Sequence, residues 1–109
     1  MRIRLSPQRR DDVVTVSKMG NTLNVGGELF DFNPMTEGST LPMAAIKSEW
    51  FAGDVELSGG ELVITLLLPL PENYSREQAF PVDLVAVPDG PVAFPLPLPL
   101  PAVLEVSPE

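Results

Sequence analysis

The chain has 109 residues and a formal net charge of −8, and it contains neither cysteine nor histidine. That length fits one domain with a modest core, while the missing side chains exclude a disulfide framework, thiolate or imidazole metal sites and the usual general base of neutral-pH catalysis. A body this acidic repels nucleic-acid phosphates and an anionic membrane surface.

Arg2-Ile3-Arg4-Leu5 alternates polar and apolar residues, which predicts a short first strand with Ile3 and Leu5 inward, closed by Ser6-Pro7. Residues 1–18 carry five of the seven basic side chains, Arg2, Arg4, Arg9, Arg10 and Lys18, against Asp11 and Asp12, a local balance of +3. The remainder holds Lys47 and Arg76 against thirteen acids, a balance of −11. Arg2, Arg4, Arg9 and Arg10 are therefore candidate contact residues for the acidic body of a neighbouring subunit. The plainer reading is a solvated edge strand whose cations discourage aggregation. No apolar leader follows Met1 and no apolar run reaches spanning length, so the chain reads as soluble and unprocessed.

Residues 13–18 and 22–25 predict a hairpin around Met19-Gly20-Asn21. With Ser17 opposite Thr22, Val16 faces Leu23 and Val14 faces Val25 on one side. The alternative, a two-residue Gly20-Asn21 loop, places Lys18 beside Leu23 on the apolar face, so the first register is preferred. Gly26-Gly27 makes a further bend, and residues 28–32 alternate with Phe30 and Phe32 toward the core, completing a three-stranded meander. Residues 33–40 have turn and loop chemistry, and Pro42 followed by two alanines predicts a single helical turn over 42–47. Trp50 is a candidate contact residue, its commoner alternative being a ring covered by a loop or a second sheet.

The clearest local prediction lies at 51–68, where Gly59-Gly60 supplies the two positive-φ residues of a tight hairpin. Ser58 then faces Glu61, Leu57 faces Leu62, Glu56 faces Val63, and Phe51 faces Leu68. Phe51, Val55, Leu57, Leu62, Ile64, Leu66 and Leu68 fall on one face, with Asp54, Glu56, Glu61 and Thr65 on the other. Pro69 is expected to end the ladder. A polar connection over 71–78 leads to a strand at 82–87, a Pro88-Asp89-Gly90-Pro91 turn and a short return strand at 92–94.

The expected architecture is all-β: a small antiparallel sandwich or partly open barrel over residues 1–94, followed by an extended Pro/Leu-rich arm over 95–109. In an extended arm the proline nitrogens face one edge and the leucine N–H groups the other, giving a strip that pairs on one side only. Such an arm docks on its own sheet or on a partner, with Leu96, Leu98 and Leu100 as candidate contact residues.

Asp54 and Glu56 share a strand face, a start for a calcium or magnesium site, yet they read more simply as the wet side of a half-buried sheet. The glycines lack phosphate-loop spacing. These residues imply no enzyme, no metal and no cofactor.

The segments SKMGNTLNVGGELFDFNPMTEGSTLPMAAIKSEWFAGDVELSGGELVITLLLPLPEN and FPVDLVAVPDGPVAFP together resemble a family of small uncharacterised proteins of tailed bacteriophages and prophages. The resemblance spans roughly residues 15–95 and rests on turns, apolar alternation and prolines. It implies a tail-gene setting and a non-enzymatic virion structural protein, a minor component of the tip, baseplate or fibre attachment. Expected partners are other tail proteins or further copies of itself, without nucleic acid and without membrane insertion. Synthesis in the host bacterial cytoplasm and residence in the virion tail follow from the same resemblance. An assembly chaperone absent from the mature particle and a small hydrolase or carbohydrate-binding module are the alternatives.

Overall fold

The computed structural model describes residues 1–98. These residues form eight strands in two four-stranded sheets: β1 (Arg2–Arg9), β2 (Val16–Met19), β3 (Thr22–Val25), β4 (Glu28–Asp31), β5 (Thr40–Leu41), β6 (Val55–Ser58), β7 (Glu61–Leu70) and β8 (Gly90–Pro91). One sheet has the order β1-β7-β6-β5, the other β4-β3-β2-β8. A single core joins them, with Ile3, Val55, Leu62, Ile64 and Leu66 from the first sheet packed with Val16, Leu23 and Val25 from the second. Phe51 meets Phe30 and Phe32 edge-on, at ring centroid distances of 4.9 and 6.2 Å. The architecture is an all-β sandwich, mostly antiparallel.

The Gly59-Gly60 hairpin forms in the expected register, with φ of +62° and +76° at its glycines. Its acidic companion is Glu37, whose carboxylate accepts the N–H groups of Gly59 and Gly60 at 2.5 and 2.8 Å. Farther along, Phe51 pairs with Leu66 instead of Leu68. Two extra residues, Gly53 and Asp54, are accommodated on the β6 side; being even in number, they leave Phe51 on the core face. Gly53 suits that bulge because a Cβ there would lie 3.1 Å from Thr65 Cβ. Asp54 turns outward, and its carboxylate accepts the Met43 N–H at 2.7 Å. That bond anchors the 3₁₀ turn at Met43–Ala45, where a single helical turn was expected.

Two proline expectations are corrected. Ser6-Pro7 does not close β1, which continues to Arg9 and runs parallel to β7, Ile3 opposite Ile64 and Pro7 opposite Leu68. Ile3 exchanges hydrogen bonds with Leu84 on its outer side, so by alternation the Pro7 nitrogen faces the same outer margin and removes no bond to β7. Pro69 likewise does not end β7: Leu67 N–H donates to Trp50 at the opposite margin, and the Pro69 nitrogen faces that margin beyond its last pairing.

The β2–β3 register is the one the apolar pattern argued against: Met19 faces Thr22, Lys18 faces Leu23 and Val16 faces Val25. Gly20, at φ +58°, opens a two-residue turn. Lys18 takes its core-side position because its stem is covered, the side chain only 12% exposed, and its Nζ reaches Asp89 Oδ1 at 2.7 Å.

The predicted strand at 82–87 is reduced to one bridge between Leu84 and Ile3, and Ala86 at φ +50° breaks the extended path. Pairing resumes at Gly90–Pro91 against β2, ahead of the expected return strand at 92–94. Residues 84–91 thus tie the β1 margin of one sheet to the β2 margin of the other. The 71–78 connection contains a helical turn, α1 (Arg76–Ala79), started by a reciprocal Ser75/Gln78 capping box.

Candidate functional site

The four N-terminal arginines meet acids of their own chain. Arg2 reaches Asp83 at 3.1 Å and Glu61 at 3.8 Å, and Arg4 lies 3.9 Å from the same Asp83. Arg9 pairs with Asp11 at 2.8 Å and donates to the Leu70 carbonyl at 3.2 Å. Arg10 bonds Asp12 and Glu49 while its guanidinium lies over Trp50, 4.4 Å from the ring centroid. The Asp12 and Glu49 bonds raise the Arg10 pKa above its ordinary value, and the Arg10 bond holds Asp12 below the usual carboxylate range. Trp50 is half-buried, and its Nε1 lies 3.6 Å from where a side chain on Gly26 would begin. The ring is thus covered by the N-terminal segment and by a turn of the second sheet.

The described residues of the leucine arm, 95–98, are attached through their backbone. Leu98 N–H donates to the Asn73 carbonyl at 2.9 Å, Asn73 Nδ2 donates to the Leu98 carbonyl at 2.6 Å, and Ser75 Oγ donates to the Leu96 carbonyl at 2.6 Å. The described part of the arm, residues 95–98, is therefore bonded to the loop before α1, and the rest of it lies outside the described residues. This arrangement turns Leu96 and Leu98 outward, 78% and 53% exposed. Leu100 lies outside the described residues.

Beside the arm, Phe80 and Val82 are 75% and 80% exposed, although both sit on a segment bonded to the body. They line a shallow cleft of about 350 Å³ with Leu84, Phe94 and Pro95, and Glu77 at its rim. A second cleft of about 260 Å³ adjoins it through the shared Leu84 and Ala93. Phe80, Val82 and Val85, and Leu96 and Leu98 farther along, are exposed apolar side chains, with Asp83 among the first group held by Arg2 and Arg4. Sequence reading missed Phe80 and Val82, since Phe80-Pro81 and the alternation after it suggested an ordinary strand. The signal available was the density of prolines, at 81, 88, 91 and 95, which restricts pairing along that stretch.

The acids are arranged to organise loops. Asp31 accepts the Asn33 backbone N–H at 2.9 Å and its side-chain amide at 2.6 Å, contacts that keep its pKa low. Asp89 is held low first by Lys18 and then by the Gly20 N–H at 3.0 Å. Among the described residues no group of three or more acids is placed to hold a metal ion. No described helix is long and apolar enough to cross a membrane.

No protein-family model, no curated protein and no solved structure matches the chain.

Proposed function

We propose that this chain is a non-enzymatic structural protein of a tailed bacteriophage, a minor component of the tail end that works through subunit contacts. The resemblance of residues 15–95 to small phage and prophage proteins supports the setting. The observation that carries the mode of action is the set of exposed apolar side chains Phe80, Val82, Val85, Leu96 and Leu98, on segments held by bonds to Ile3, Asn73 and Ser75. Contiguous apolar patches on a small soluble domain mark contact sites, since water is released when a partner covers them. The N-terminal arginines are already paired within the chain, so the apolar surface is the better candidate for the contact. Mass spectrometry of purified particles of the encoding phage is the test. Peptides of this chain in the particles support a virion component; their presence in the lysate and absence from particles points to an assembly factor instead.

A further inference from the structure

We infer that the surface formed by residues 80–85 and 94–98 is a two-fold interface between copies of this chain. The inference deepens the contact reading above and rests on it, but it concerns the isolated protein and is tested without particles.

The surface has the two halves that a self-complementary contact requires. Phe80, Val82, Phe94 and Pro95 shape a concave apolar cleft. Leu96 and Leu98, immediately after it in the chain, offer a strip of exposed apolar side chains on a backbone bonded to Asn73 and Ser75. A two-fold axis beside the cleft lets each strip cover the other copy's cleft. No segment has to leave its own body for this to happen.

Charge at the rim selects the same occupant. Arg76 and Glu77 are adjacent on α1, both are exposed, and neither is in an ion pair among the described residues. Arg76 lies over the Phe80 ring, 6.0 Å from its centroid, and Glu77 lines the cleft. Across a two-fold axis, Arg76 faces the partner subunit's Glu77 and Glu77 faces the partner subunit's Arg76, so each pair occurs twice. A strongly acidic protein opposes its own association at long range. The reciprocal pairs counter that repulsion where the surfaces meet.

The test is native mass spectrometry with sedimentation velocity on the full chain over a concentration series. The wild type is expected to give twice the chain mass. Phe80→Asp and Val82→Asp, at positions too exposed to be needed for folding, are each expected to weaken association about tenfold or more. Arg76→Glu alone and Glu77→Arg alone weaken it, and the double variant recovers it because the reciprocal pairs are re-formed with exchanged signs. Circular dichroism of each variant verifies the fold. A single-chain mass at every concentration overturns the inference. So does a dimer indifferent to Phe80→Asp and Val82→Asp, or a trimer or larger ring. Any of these results leaves the particle experiment able to support or refute the tail assignment separately.

Discussion

Lys18 and Asp89 illustrate how one pair of side chains decides a local structure. Lys18 stands on the core side of β2 beside Leu23, a position its charge argues against, and it is tolerated because its amine meets Asp89 at the sheet's end. Asp89 also accepts the Gly20 N–H, so one carboxylate fixes the β2–β3 turn and the start of β8 together. Its pKa is lowered by those partners, Lys18 first. A carboxylate of this kind stabilises the fold above its unfolded pKa and loses that contribution as pH falls through the lower, folded value. Asp89→Asn is therefore expected to be less stable than the wild type at neutral pH, with the difference shrinking as acid protonates the wild-type carboxylate. Urea unfolding at a series of pH values measures this, and a difference independent of pH contradicts the assignment.

At the scale of the element, short-range signals were legible and long-range ones were not. Gly59-Gly60 set the β6–β7 register because both positive-φ residues lie in the turn itself. The β2–β3 register depended instead on Asp89, some seventy residues away, which compensates a charge that the local pattern counts as an error. The parallel β1–β7 pairing was equally hidden, since a strand's own alternation does not identify its partner. Alternation correctly put Phe30, Phe32 and Phe51 toward the core but made 82–87 too regular, as a β pattern cannot reveal that only Leu84 finds a partner.

The Ser75-x-x-Gln78 spacing is a capping-box pattern that reading 71–78 as a plain polar connection passed over. Ser75 does two things there: its oxygen accepts the Gln78 N–H, and its hydroxyl donates to the arm at Leu96. Ser75→Ala is expected to cost about 1 kcal/mol of stability. It also speeds hydrogen exchange at both the Gln78 and Leu98 amides. Faster exchange at Gln78 alone would break the link drawn between helix cap and arm.

At the scale of the molecule, the sandwich covers its apolar core, while Phe80, Val82, Leu96 and Leu98 are exposed among the described residues. Most of the candidate contact residues read from the sequence have partners within their own chain: the arginines pair with nearby acids, and Trp50 lies beneath Arg10. Leu96 and Leu98 are different, because their backbones are bonded while their side chains face outward. The arm's alternating prolines made a one-sided strip foreseeable, but the bonds of its described residues to the loop before α1 required the tertiary structure. Function on this account resides in that assembled surface.

Complementation of a phage lacking the gene, followed by quantitation of this protein in purified particles, tests that claim most directly. The account predicts incorporation of the wild-type chain and at least a tenfold reduction for the folded Phe80→Asp/Val82→Asp double variant. Incorporation of that variant at the wild-type level would contradict it.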